Sequence, residues 1–203
     1  TNVARISLFT SASYGAYYKT TLLHYYLMPL LVTVRNHTPT HGKNCFLAEN
    51  ATLIGEVVLG DDCSVWYTAV VRGDVNAIIC GDRVNIQDGA VIHGTFERAA
   101  TTIGNDVSIG HRAIVHGCTI HDSVLIGMGA IVMDDAVVES NVIIGAGAVV
   151  PANMRCEANS VYAGVPAKKI KDLDPAQRED TFEWIVASYL KYASWLHKYF
   201  SLS

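Results

Sequence analysis

Hydrophobic positions in the middle of the chain recur every six residues, neither the 3.6 spacing of a helix nor the strict alternation of a plain strand. From residue 51 onward a small or apolar residue is followed two positions later by an aliphatic one. The series starts with Val57/Leu59, Cys63/Val65 and Ala69/Val71. It resumes after three extra residues with Ile78/Cys80, Val84/Ile86 and Ala90/Ile92. After a five-residue insertion it continues through Thr101/Ile103, Val107/Ile109 and Ala113/Val115, then six uninterrupted units from Cys118/Ile120 to Ala148/Val150. Such a period predicts a parallel β-helix built from hexapeptides. Each unit supplies one short strand and one sharp corner, and three units complete a triangular coil. The aliphatic residue points inward and stacks on its equivalent in the next coil. Glycine often follows it (Gly60, Gly81, Gly104, Gly110, Gly127, Gly145), which suits a corner that needs positive φ or close approach.

The repeat is expected to end near Pro151–Cys156, with Val161–Lys171 running off the stack. Asp174-Pro175 is a helix start, an N-cap followed by proline at the first position. Phe182, Ile185, Tyr189, Ala193, Leu196 and Phe200 then recur at helical spacing. They predict an amphipathic helix packed on the side of the β-helix or on a neighbour. Three segments follow: an extension outside the repeat (1–27), the β-helix (28–171) and the C-terminal helix (172–203).

Composition narrows the function. Half of the 203 residues are hydrophobic and 17% are charged, against roughly 25% charged in an average soluble domain. Much of the surface is therefore expected to be buried against other copies of the chain. The net charge of −4, without any Lys/Arg run, excludes a basic nucleic-acid footprint. The uncharged stretch between Lys19 and Arg35 is broken by Pro29 and falls short of the roughly 20 apolar residues of a membrane span. Five cysteines with no CxxC pair read as small buried hydrophobes in a reducing compartment, taken as the cytoplasm. Residues 1–48 contain no Asp or Glu. Acid-poor, Ser-containing segments occur in organellar transit peptides, but Arg5 and Lys19 alone make 1–27 a poor match.

Three histidines interrupt the repeat: His93, His111 and His116. With the faces of the coil labelled a, b and c, and the two insertions treated as loops, Val71, Ile92 and Val115 fall on face a in successive coils. Arg72, His93 and His116 follow them directly and form a column at one corner, spaced by a coil rise of about 4.8 Å. His111 lies two residues after Ile109 on face c, above Asp88, with Gln87 beside it. One chain cannot bring all three histidines to one metal ion. If they share an ion, two chains contribute, and a threefold trimer of prisms does this by setting one corner against another.

RGD (Arg72-Gly73-Asp74), NIQD (Asn85-Ile86-Gln87-Asp88), the histidine of VIH (His93) and IGHRAIVHGC (His111, His116) together resemble the gamma-class carbonic anhydrases, over residues of about 33–200. The resemblance implies a left-handed coil and a homotrimer with metal at the subunit interfaces, held by His93 and His116 of one chain and His111 of the next. Three neutral imidazoles leave one position open on Zn²⁺, and also suit Fe²⁺ or Co²⁺. A bound ion that lowers the pKa of water to about 7 suits attack on CO2. The resemblance implies that Gln87 hydrogen-bonds nucleophile or product and that Asn85 polarises substrate. It casts Arg72, Asp74 and Asp88 as an ion-pair network between subunits that orients the site.

Two departures point to weak activity. Well-known active members carry a glutamate straight after RGD, where this chain has Val75, and an acidic loop after the first histidine. Here that loop is Gly94-Thr95-Phe96-Glu97-Arg98, and Glu97 is its only acid able to shuttle protons. The expected reaction is reversible hydration of CO2. The competing readings are a metal-dependent acyl-thioester hydrolase, a hexapeptide acyltransferase, and a non-catalytic metal-binding trimer with an assembly role.

Overall fold

The computed structural model describes residues 28–200, with side chains for 28–174 and 181–196. The extension 1–27 and the side chain of Phe200 lie outside the described residues. The chain winds into a parallel β-solenoid of about seven turns. Face a carries β1 (Leu30–Val32), the first halves of β4 (Thr52–Leu59) and β6 (Val70–Cys80), β8 (Val91–His93), β11 (Ile114–His116), β14 (Ile131–Val132) and β17 (Val149–Val150). Face b carries β2 (Thr40–His41), the second halves of β4 and β6, β9 (Thr101–Ile103), β12 (Thr119–Ile120), β15 (Val137–Val138) and β18 (Arg155–Cys156). Face c carries β3 (Phe46–Leu47), β5 (Ser64–Val65), β7 (Asn85–Ile86), β10 (Ser108–Ile109), β13 (Leu125–Ile126), β16 (Val142–Ile144) and β19 (Ser160–Ala163).

Register confirms the face count. Val71 pairs with Ile92 and Ile92 with Val115 on face a, and Ile86 pairs with Ile109 on face c. The aliphatic member of each unit points into the prism: Val71, Ile92, Ile109, Val115 and Val132 are all 0% exposed. Burying each such side chain contributes about 1.5–3 kcal/mol relative to leaving it in water, and stacking makes the contribution continuous along the axis.

The corner glycines serve close approach rather than positive φ. A Cβ on Gly60 would lie 2.5 Å from the carbonyl oxygen of Gly81. Positive φ falls two residues later, on Asp62 (57°), Arg83 (55°) and Asp106 (57°); Asp and Asn are the side chains that tolerate it best. Between those positions runs a polar ladder. Asp61 accepts from the Lys43 amide (2.7 Å), Asp82 from the Asp61 amide (2.8 Å), Asn105 from the Asp82 amide (2.9 Å) and Asp122 from the Asn105 amide (2.7 Å).

Two expectations change. The three extra residues near Asp74 form no loop: β6 runs unbroken, and its register against β4 jumps from Gly55↔Gly73 to Val57↔Ile78. Nor does Val161–Lys171 leave the stack. The six-residue period continues through Val150, Cys156 and Tyr162, all buried, so β18 and β19 complete the last coil. Strand β20 (Lys168–Asp172) then folds back antiparallel on β19. Helix α1 (Pro175–Phe200) lies along face c, where Phe182, Val186 and Ala193 are buried. Tyr189 meets Trp66 edge-on at 5.3 Å.

Candidate metal centre

Face a ends at the corner that His93 and His116 occupy on adjacent coils. His93 Nδ1 faces His116 Nε2 at 3.1 Å. The far side of each ring meets a carboxylate: His93 Nε2 lies 3.1 Å from Asp74 Oδ1, and His116 Nδ1 bonds Asp134 Oδ1. A carboxylate only accepts, so the protons sit on those two nitrogens. With both rings neutral, the nitrogens that face each other both present lone pairs. Two lone pairs at this distance repel, and a shared proton or a metal ion between them removes the repulsion. Two nitrogens on a tetrahedral ion, each about 2.05 Å from it, stand about 3.3 Å apart. The donor set therefore fits a metal, and carboxylates behind the ligands are how metal-binding histidines are commonly oriented.

The supports are themselves held. Arg72 Nη1 donates to Asp74 Oδ2 at 2.7 Å, and Arg72 Nη2 lies 3.4 Å from His93 Nδ1. Thr95 donates to Asp134 Oδ2 at 2.5 Å. Thr101 donates to the His93 carbonyl at 2.6 Å and accepts from the Gly117 amide at 3.0 Å, tying the two histidine strands together. Burial pushes the Asp74 carboxyl up, but the hydrogen bonds from Arg72 and His93 outweigh it and hold the group below the usual carboxylate range. Asp134 is lowered in the same way, burial being outweighed by Thr95 and His116. Burial pushes the His93 imidazole down, which favours the neutral form that binds metal.

His111 stands at the opposite edge of face a, on the corner between c and a. Its Nδ1 lies 2.9 Å from Asp88 Oδ2, and its Nε2 lies 3.5 Å from the Tyr189 hydroxyl. Gln87 Oε1 accepts from the His111 amide at 3.1 Å, and Gln87 Nε2 donates to Asn85 Oδ1 at 3.0 Å. Asn85 in turn donates to Ser108 Oγ at 2.7 Å. Both ends of the buried Asn85 amide are engaged, its oxygen by Gln87 and its nitrogen by Ser108. A cavity of about 420 Å³ opens beside this corner, between α1 and face c, lined by Gln87, His111, Met128, Trp184 and Tyr189. Burial, with the charge of Asp88 second, pushes the Tyr189 phenol up to about 12.

The structure thus brings Arg72, Asp74, His93 and His116 together at one corner, and Asn85, Gln87, Asp88 and His111 at another. Arg72 and Asp74 pair with each other inside one chain. Among the described residues of one chain, no three His, Cys, Asp or Glu side chains converge to hold an ion. Glu97 is exposed at the tip of the Thr95–Ala99 turn, with φ 52°. Sequence reasoning missed Asp134 and Tyr189. Asp134 was within reach of the face count carried one coil further, because Val132 pairs with Val115. Tyr189 had only its place on the helix stripe, which says nothing of the histidine it meets.

Comparison with known proteins places the chain in a family. The profile of the family described as bacterial transferase hexapeptide (six repeats) matches residues 117–152. Gamma carbonic anhydrase 2, mitochondrial, of Arabidopsis thaliana is 39% identical over 148 residues, 70% of this chain and 53% of that protein. The chain thus spans about half the length of that relative. A protein named probable carbonic anhydrase from Methanocaldococcus jannaschii is 47% identical over 131 residues, 64% of this chain and 82% of its own length. The crystal structure of a hexapeptide transferase family protein from Anaplasma phagocytophilum matches with a TM-score of 0.77 at 34% identity, covering 81% of this chain and 96% of that one. No helix among the described residues is long and apolar enough to cross a membrane. By motif, fold and similarity, the chain belongs to the gamma-class carbonic anhydrase-like family of hexapeptide-repeat proteins.

Proposed function

We propose that the chain forms a homotrimer that hydrates CO2 reversibly at metal sites between subunits, each built from His93 and His116 of one copy and His111 of the next. The observation that carries this reading is the pair of imidazole nitrogens facing each other at 3.1 Å, each ring backed by a carboxylate, with a third carboxylate-backed histidine across face a. Both histidine corners bound that face, so joining unlike corners turns face a of every copy toward the threefold axis. The outer column of face a runs Leu30, Thr52, Val70, Val91, Ile114, Ile131 and Val149 in register. It is apolar at every position but Thr52, as a surface meant for burial should be.

Zinc is the ion we assign, and bound there it supplies the Lewis acidity that makes water nucleophilic near neutral pH. Asp74, Asp134 and Asp88 hold the three imidazoles in the tautomer that binds. Gln87, anchored by Asn85, presents its amide beside His111 for a hydrogen bond to substrate or product. Val75 accepts no proton, and Glu97 is the nearby acid left to carry protons outward. Proton release then limits turnover.

Stopped-flow CO2 hydration on protein of verified zinc content tests the reading. Measurable hydration that rises saturably with imidazole-type buffer is expected, and a trimer by light scattering. No hydration at full occupancy, at any buffer concentration, removes the anhydrase reading; a metal-replete monomer removes the shared site. The cavity of about 420 Å³ beside His111 is larger than CO2 needs and favours, as a second reading, hydrolysis of an acyl thioester at the same metal. Thiol release from short-chain acyl-CoA distinguishes the two.

A further inference from the structure

Two of the five cysteines, Cys45 and Cys63, lie in the first two turns, far along the chain from His93, His111 and His116. Cys45 begins face c in the first coil, and Cys63 occupies the equivalent place one coil on. Their strands pair in parallel, and the Phe46 amide donates to the Cys63 carbonyl at 2.9 Å. The two thiols make equivalent contacts one coil apart: Cys45 Sγ donates to the Gly60 carbonyl and Cys63 Sγ to the Gly81 carbonyl, both at 3.2 Å. Neighbours in register have Cα atoms about 4.8 Å apart, inside the window of about 4.4–6.8 Å that a disulfide requires. Cys45 is half-buried, whereas Cys63 is buried behind it. His41, at the end of β2, stands beside Cys45.

The chemistry of the two thiols differs. Cys63 first, and His41 after it, draw the Cys45 thiol down to about 6 against the upward push of burial. The Cys63 thiol is pushed up by Cys45 and by burial. Burial alone pushes Cys80 up to about 12 and Cys156 up to about 11, and it dominates at Cys118, which also reaches about 12. Reactivity follows thiolate character and access. Among the five thiols the Cys45/Cys63 pair alone holds one drawn below its ordinary value, and access places the attacking sulfur at half-buried Cys45, with buried Cys63 behind it.

We propose that Cys45 and Cys63 form a redox-active dithiol, which a hydroperoxide converts to an intrachain disulfide joining the first two coils. The Cys45 thiolate sulfur attacks the terminal peroxide oxygen. The O–O bond breaks, the other oxygen leaves as water or alcohol with a proton, and Cys45 becomes a sulfenic acid. The Cys63 sulfur then attacks the Cys45 sulfur and loses its proton; the S–O bond breaks and water leaves. Two thiols are oxidised and one hydroperoxide is reduced.

The test uses the full wild-type chain and hydrogen peroxide, followed by alkylation, trypsin and mass spectrometry without reduction. No Lys or Arg lies between Lys43 and Arg72, so both cysteines fall in one peptide, 44–72. The expected product is that peptide lighter by two hydrogens, with neither cysteine alkylated, restored by dithiothreitol. It should appear at least tenfold faster than any oxidation of Cys156. In Cys63→Ser, dimedone should trap Cys45 as sulfenic acid, and in Cys45→Ser, Cys63 should stay reduced. Oxidation of wild-type Cys45 no faster than Cys156, or a lasting dimedone adduct on wild-type Cys45 without the disulfide, overturns the proposal without recourse to either variant.

Discussion

Asp134→Asn should weaken zinc binding about tenfold while leaving the fold intact. Asp134 accepts from His116 Nδ1 and from Thr95 Oγ1. Asparagine keeps the shape and one acceptor oxygen, so the His116 ring can still be oriented. What is lost is charge. Hydrogen bonds to an ionised partner contribute about 1.5–3 kcal/mol net, against about 1 kcal/mol between neutral groups. The difference of about 0.5–2 kcal/mol corresponds to roughly 2–30-fold in affinity. Asp134→Ala removes orientation as well, and should reach the upper end of the 10–100-fold range known for carboxylates behind metal-binding histidines. Thr95→Val, which only frees Asp134 on its far side, should cost less than either. The assay is a zinc competition titration against a chromophoric chelator, with thermal melting of the zinc-free protein as control. Unchanged affinity in Asp134→Ala, with a normal melt, would refute the assignment of Asp134 as the support of His116.

Ile109→Ala should cost about 2–5 kcal/mol of stability in guanidinium unfolding, because Ile109 is 0% exposed in a stacked column that cannot collapse; a loss under 1 kcal/mol would show that the coils relax around a void. Gly60→Ala should destabilise by about 1–3 kcal/mol, since its Cβ would meet the Gly81 carbonyl oxygen at 2.5 Å and two backbones would have to part; a neutral result in the same unfolding assay would sink the close-approach account. Tyr189 has its phenol raised to about 12, so it contributes stability that is complete below its unfolded value near 10 and is lost as pH rises through about 12. Urea midpoints across that window should fall less steeply in Tyr189→Phe, and identical slopes would exclude Tyr189 as the source.

Much of the architecture was legible in the chain because a solenoid turns spatial neighbours into fixed offsets in sequence. Once Val71, Ile92 and Val115 are placed on one face, the side-by-side histidines and the remote His111 follow by counting. Counting failed where the backbone absorbed residues without leaving the sheet: the residues after Asp74 read as a loop, yet they extend β6. It also stopped two strands early at the C-terminal end, since Cys156 and Tyr162 were not recognised as inward residues. The corner glycines were correctly placed with their reason left open between two causes, and only the carbonyl of the next coil decides for close approach. Tyr189 was illegible for a different reason: where a helix docks along face c depends on Trp66 and its neighbours, not on any period.

The placement of His111 on one edge of face a and of His93 with His116 on the other has a genetic consequence. In the homotrimer proposed above, a chain carrying His111→Ala and a chain carrying His116→Ala are each without a whole site when they assemble alone. Mixed in one ring, they repair each other wherever an intact pair from the first meets an intact His111 from the second. Going once around a ring of three, that junction occurs a single time in either mixed composition. Equal co-expression should therefore restore about a quarter of the sites, from two alleles that are separately dead.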